Sequence, residues 1–213
     1  MRPAAALFAA LAAAPVVLGL GGSAAETISI SARPSVVRWS ESVVVTGALS
    51  SGRSDVDVVL QGRACDEGPW AVVSGTHTDV GGSLYLEFTP GISQTIRAVA
   101  DEITSNTLKV QQRPAVQLQQ RPPGTFVVSV NAQRQFWHRK VVLQRFDAKK
   151  RNWVDIRSVL LTETAARSGS TYVLSGTEKF RQQVPKGTLL RATLPLAQAK
   201  PCYLAGYSNL LRT

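Results

Sequence analysis

This chain is short of the residues that carry chemistry. Its 213 residues include two cysteines, two histidines and one methionine. His77 and His138 stand far apart, and no closely spaced His or Cys set exists to hold a zinc ion. A Gly-x-Ser-x-Gly turn and a phosphate-binding loop are both missing, which removes two common signatures of hydrolysis and nucleotide binding. Past residue 20 no apolar run is long enough to span a bilayer. Past residue 25 no 11-residue window shows helical periodicity. Asp55 and Asp57 share one strand face, a spacing that can serve glycoside hydrolysis, but they read better as solvated residues on an outward face. Asp79, ahead of Gly81-Gly82, reads as a hairpin turn rather than a calcium loop. The expectation is a chain with no catalytic residue, no metal site and no cofactor.

What is present begins with a leader-like segment. Met1-Arg2-Pro3 gives a short basic start, residues 4–20 are uncharged, and Ser23-Ala24-Ala25 offers small residues for cleavage. Residues 1–25 are expected to be a secretory signal peptide. A retained anchor competes with that reading, but the run is mostly Ala and Gly and no basic cluster follows it. The mature chain is then expected outside the cell or in its envelope, without a membrane span. Its charge is uneven. Residues 26–112 carry six Lys/Arg against ten Asp/Glu, a formal charge of −4. Residues 113–213 carry seventeen against four, a formal charge of +13. Either the two surfaces are simply well solvated, or the basic half faces an anionic partner such as cell-wall polymer, acidic polysaccharide or lipid headgroups. Export, and the lack of a single-strand stacking motif, weigh against nucleic acid.

The second half repeats the first. Val58-Val59-Leu60-Gln61 leads to Trp70 nine residues on, and Val141-Val142-Leu143-Gln144 leads to Trp153 by the same count. Arg97-Ala98 recurs as Arg191-Ala192, and Ser105-Asn106 as Ser208-Asn209, the offset growing from 83 to 94 to 103 residues. One β-rich module used twice accounts for this, the second copy carrying longer loops. Strands are expected at 28–31, 42–49, 55–62, 70–73, 84–88, 95–99 and 107–110. In the second half they are expected at 116–119, 125–132, 140–146, 153–161, 171–174, 179–184 with 188–194, and 207–212. Seven short strands in about 100 residues, with turns at regular spacing, predict an all-β chain of two tandem immunoglobulin-like β-sandwiches, 26–112 (acidic) and 113–213 (basic). A small barrel is the alternative. Trp70 and Trp153 read as packing at or beside the core rather than as ligand platforms.

The sandwich geometry makes further expectations. Pro114 stiffens a short junction and allows limited bending. Cys65 follows the third strand of the first module, at the end where its chain leaves. Cys202 lies between the last two strands of the second, at the end where its chain comes in. A disulfide between modules is expected, closing a loop of about 137 residues and stabilising by ~3–5 kcal/mol in the chain-entropy model; free thiols and bridges to another chain are the alternatives. Asp66 and Glu67 beside Cys65 are then expected to face Arg134, Phe136, Trp137, His138, Arg139 and Lys140 across the junction. That aromatic-basic run is read as an interdomain contact, with a sugar-stacking platform as the alternative. At the opposite end of the second module, Arg121, Lys149, Lys150, Arg151 and Lys186 are expected to converge as an anion-binding surface, against the plainer reading of a solvated hairpin.

Carried by Val58-Val59-Leu60-Gln61 to Trp70, by Thr95-Ile96-Arg97-Ala98-Val99, and by echoes ending in Tyr203-Leu204-Ala205-Gly206-Tyr207-Ser208-Asn209, the mature chain resembles the tandem immunoglobulin-like proteins exported by high-GC Gram-positive bacteria. The resemblance covers nearly all of 26–213 and rests on structural motifs. It implies adhesion, spacer or binding units, here without an attached catalytic domain or anchoring signal, and fold alone does not give function. The expected role is non-enzymatic binding, the basic half contacting an anionic envelope polymer or a protein partner. The alternatives are a small extracellular hydrolase or an inhibitor of one, and a structural protein whose opposite charges drive homo-oligomers.

Overall fold

Apolar and polar residues alternate with period two through most of the chain, the pattern of strands with one face buried. The structure, a computed structural model, is accordingly all-β. It describes residues 25–121, 124–164 and 174–213. The expected leader therefore lies outside the described residues but for Ala25, and of the expected strand at 171–174 only Leu174 is described.

The first half contains β1 (Ile28–Arg33), β2 (Val36–Arg38), β3 (Val43–Leu49), β4 (Asp57–Ala64), β5 (Ala71–His77), β6 (Ser83–Phe88), β7 (Gln94–Ala100), β8 (Ile103–Thr104) and β9 (Leu108–Arg113). They form one sheet ordered β1-β3-β6 and another ordered β2-β9-β7-β4-β5, with β8 beside β7. The second half contains β10 (Ala115–Gln120), β11 (Thr125–Ala132), β12 (Lys140–Asp147), β13 (Asn152–Leu160), β14 (Glu163–Thr164), β15 (Leu174–Arg181), β16 (Leu189–Leu194), α1 (Leu196–Ala199), β17 (Gly206–Tyr207) and β18 (Leu211–Arg212). Its sheets run β10-β11-β15-β14 and β13-β12-β16-β17, with β18 also on β16.

Two clusters of buried side chains fill the space between these sheets. One gathers Ile30, Val45, Leu60, Leu86 and Ile96. The other gathers Leu118, Phe126, Leu143, Leu161 and Leu190, and it also takes in Cys65 and Ile92 from the first half. Burying each such side chain contributes roughly 1.5–3 kcal/mol. Phe126 and Phe180 stack within the second cluster, centroids 5.9 Å apart.

The structure departs from the expected seven strands per half in several places. Pro34 has no N–H to continue β1, and beyond it β2 pairs in parallel with β9 on the other sheet. The last expected strand is two pieces, β17 and β18, because Ser208 and Asn209 between them turn their side chains onto other strands. A one-turn helix follows Pro195, too short to leave a periodic signal. Trp70 and Trp153 belong to neither buried cluster. Among the described residues no helix is long and apolar enough to cross a membrane.

A single residue, Pro114, separates β9 from β10. Cys65 and Cys202 are bonded across the two halves, their Cα atoms 4.7 Å apart. Ser93 sits between them: its carbonyl accepts from Cys65 N–H at 2.8 Å and its N–H donates to Cys202 O at 3.1 Å. Leu204 N–H donates to Gln112 O at 2.9 Å, and an Arg113 guanidinium nitrogen donates to Ala205 O at 2.6 Å. Tyr203 completes the joint: its hydroxyl donates to Gly91 O at 3.2 Å and accepts from Arg134 N–H at 3.1 Å. Burial pushes the Tyr203 phenol up, which keeps that donor protonated.

Candidate functional site

The repeated residues form the same two devices in each half. In the first, Ser105 Oγ accepts from Ala98 N–H at 2.9 Å, and Asn106 receives Ile30 N–H at 2.9 Å while donating to Ile30 O at 3.1 Å. In the second, Ser208 Oγ accepts from Ala192 N–H at 2.8 Å, and Asn209 receives Leu118 N–H at 3.0 Å while donating to Leu118 O at 3.1 Å. Each asparagine thus ties the last segment of one sheet to the first strand of the other.

The second device is a stack on the outer face of the larger sheet. The ladder slips by one residue at Leu60/Gln61 against β5 and at Leu143/Gln144 against β13. Such a bulge re-aims the side chains beside it. Gln61 Oε1 accepts from Arg97 Nε at 3.0 Å, and Gln144 Oε1 accepts from Arg191 Nε at 2.8 Å. Each guanidinium then lies 4.2 Å from a tryptophan centroid, Arg97 over Trp70 and Arg191 over Trp153. The tryptophans pack by cation–π contact on the outer face, not at or beside the cores as expected, because the bulge aims the glutamine-held arginine over each ring. Desolvation holds the Arg191 pKa below its ordinary value.

Around these common parts the halves diverge. Counting from the shared glutamine, Asp66 corresponds to Lys149. Counting from the shared serine, Lys109 corresponds to Arg212. In the first half Asp66 and Lys109 pair at 2.5 Å, and Thr95 Oγ1 also donates to the carboxylate. Lys109 holds the Asp66 carboxyl below the usual range, with Thr95 assisting. In the second half, Lys149 and Arg212 line a cleft of about 550 Å³ together with Arg145 and Phe146. The one acid of that cleft, Asp147, accepts the N–H groups of Lys149 and Lys150 at 3.0 and 3.2 Å and so caps its own turn. The Lys/Arg–carboxylate ion pairs among the described residues all lie in the first half: Arg53 with Glu26 and Asp101, and Lys109 with Asp66.

The tip residues named from the sequence lie at one end of the second half. Gln182 N–H donates to Gly124 O at 2.8 Å and Arg121 N–H donates to Thr125 O at 2.9 Å, so the segment that leads to Lys186 lies beside Arg121. Gly187, next to Lys186, shares the cleft with Lys149. Arg121, Lys149, Lys150, Arg151 and Lys186 are all exposed. Arg145 and Arg212 were missed. Each is an isolated cation in sequence, and aligning Lys109 with Arg212 is the signal that finds the second of them.

The aromatic-basic run divides. Phe136 is buried against Tyr203, centroids 5.5 Å apart. Trp137 is half exposed, stacks on His138 at 3.9 Å and donates through Nε1 to Thr162 O at 3.1 Å. Arg134, Arg139 and Lys140 are exposed, the last two anchored by their backbone N–H groups to Phe136 O and Gln198 Oε1. The expected meeting of acids with these bases does not form among the described residues. Asp66 binds Lys109 in its own half, while Glu67 lines a separate cleft of about 570 Å³ beside β5 and Phe88. Backbone and apolar contacts close the junction instead, and a Cβ at Gly91 would collide with Gln133. Asp57 faces His77 at 2.9 Å on an exposed hairpin, and Asp55 lies in the turn before it with φ 59°. Among the described residues no three His, Cys, Asp or Glu side chains are grouped to hold a metal ion.

No protein-family model matches the chain, and no curated protein matches it.

Proposed function

We propose that this chain is an exported, non-enzymatic binding protein of two tandem immunoglobulin-like β-sandwich domains, and that its basic second domain contacts an anionic polymer of the cell envelope. The fold reading is supported by strand order: in each half a smaller sheet is built on the first and second long strands and the sixth-strand counterpart, and a larger one on the third and the penultimate. The functional reading rests above all on one substitution of charge. Where the first half closes an Asp66–Lys109 ion pair, the second sets Lys149 and Arg212 around an open cleft. Two cations cannot neutralise each other, and carboxylate or phosphate groups of a polymer would supply the missing charge. The cations of the tip extend that field.

Co-sedimentation with purified cell-wall sacculi across a salt series tests this. Binding is expected at low salt and should fade at moderate salt, since exposed charges are screened over about 8–10 Å near physiological ionic strength. Replacing Lys149, Lys150 and Arg151 together with Ala should weaken it. No sedimentation at any salt would sink the reading.

A further inference from the structure

We propose that the outer face of the β13-β12-β16-β17 sheet binds the sugar rings of an acidic polysaccharide. The inference rests on the second half being an anion binder and names the class of polymer it takes. Four side chains form an unbroken strip on that face. Phe146 meets Trp153 at 5.4 Å, Arg191 lies 4.2 Å from Trp153, and the same guanidinium lies 5.0 Å from Tyr207. Phe146 is 37% exposed and Tyr207 48%. Exposed apolar side chains aligned on one surface mark an interaction site more often than isolated ones do.

The first half shows that the fold does not need these rings. By the same counts, Phe146 corresponds to Arg63 and Tyr207 to Thr104. There Arg63 and Arg97 both lie over Trp70, at 5.2 and 4.2 Å, and the stack is complete without a second aromatic residue. The second half has exchanged a cation and a small hydroxyl for two outward-facing rings. An aromatic ring offers a flat apolar body that suits the C–H face of a sugar, while the sugar's hydroxyls stay in water. The two ends of the strip carry cations. Phe146 borders the cleft of Arg145, Lys149 and Arg212. Tyr207 borders a second cleft, about 360 Å³, lined by Arg38 and Arg113 and by one acid, Glu41, whose carboxylate accepts Arg38 N–H at 2.7 Å. A polymer lying along the strip would meet the cations of the first cleft, the rings of Phe146 and Trp153, the Arg191 guanidinium, the Tyr207 ring and the arginines of the second cleft in turn. That order matches a chain of sugar rings bearing carboxylates or phosphates, and an anionic polymer without rings would leave the aromatic residues unused.

The test uses the purified protein with two probes, polygalacturonate, which has rings and carboxylates, and polyphosphate, which has charge alone. The variant carries Phe146→Arg and Tyr207→Thr, the residues that the first half places at these positions, so its net charge rises by one. Polygalacturonate affinity is expected to fall about tenfold, with polyphosphate affinity unchanged or tighter. Tyr207→Phe, which keeps the ring, should retain polygalacturonate binding, whereas Phe146→Ala alone, at a 37% exposed position, should weaken polygalacturonate and not polyphosphate; unchanged polygalacturonate binding by Phe146→Ala overturns the strip if the double variant does not fold. The Lys149, Lys150 and Arg151 triple substitution should weaken both probes. If the double variant, folded by circular dichroism, binds polygalacturonate as the parent does, the strip is overturned and the anion reading stands. Binding of polyphosphate without polygalacturonate has the same meaning. Binding of neither probe overturns both readings.

Discussion

Trp70 and Trp153 occupy the same place in the two halves, each under an arginine held by a glutamine at a bulge, yet their neighbours differ. Trp70 has Arg63 and Arg97, with Asp66 and Lys109 paired nearby. Trp153 has Arg191 and Phe146, with Lys149 and Arg212 around a cleft. The glutamine, arginine, tryptophan, serine and asparagine repeat because they tie strands together. What diverges lies on the outer face, where packing sets no constraint and a partner can. The comparison therefore separates scaffold from surface inside one molecule.

That separation can be broken by experiment, the largest effect being at the joint. Replacing Cys65 and Cys202 with Ser should lower unfolding free energy by ~3–5 kcal/mol in urea titrations, because the bridge closes a 137-residue separation. An unchanged midpoint would mean that the hydrogen bonds and buried residues of the junction hold it without the bridge. Next come the matched core residues. Leu60→Ala and Leu143→Ala, both nearly inaccessible, should each cost about 2–5 kcal/mol. Calorimetry of each variant will show whether one cooperative transition moves or two separate. Asn106→Ala and Asn209→Ala should each cost roughly 1–3 kcal/mol, since each leaves a backbone N–H and C=O of the opposite sheet without its partner. A large difference between the two would refute their equivalence.

The smallest effect belongs to the surface. Asp66→Asn should cost at most about 1 kcal/mol, because the pair with Lys109 is partly exposed. Its pH dependence has a definite sign. The folded state lowers the Asp66 pKa, through Lys109 first and Thr95 second. Its contribution is therefore full above the unfolded value of about 4 and is lost as pH falls through the lower folded value. Parent and Asp66→Asn stabilities should converge as the pH falls below 4, and a gap that persists in acid would assign the effect to something other than this carboxylate.

Much of the fold was legible because strand alternation and a repeat are local facts. The Val-Val-Leu-Gln strand, the tryptophan nine residues on and the Ser-Asn pair mark equivalent positions with no knowledge of contacts. The tertiary fold decided the rest. The sequence put acids and bases near the junction, but the fold turned Asp66 toward Lys109, 43 residues away, because Thr95 of β7 pairs with Arg63 of β4 on one side and with Lys109 of β9 on the other, so a residue just past the end of β4 reaches Lys109 across β7. It buried Phe136 and left the adjacent Trp137 outside, since neighbouring residues of a short loop can face opposite ways. It also brought Arg212 to Arg145 and Lys149, and Tyr207 to the Phe146–Trp153 pair of one hairpin, from strands more than 50 residues further along the chain. Composition and periodicity determined that this protein is an all-β chain with one acidic and one basic half. Which charges meet, and which rings reach water, depends on side chains brought together across strands, a relation the linear order does not contain.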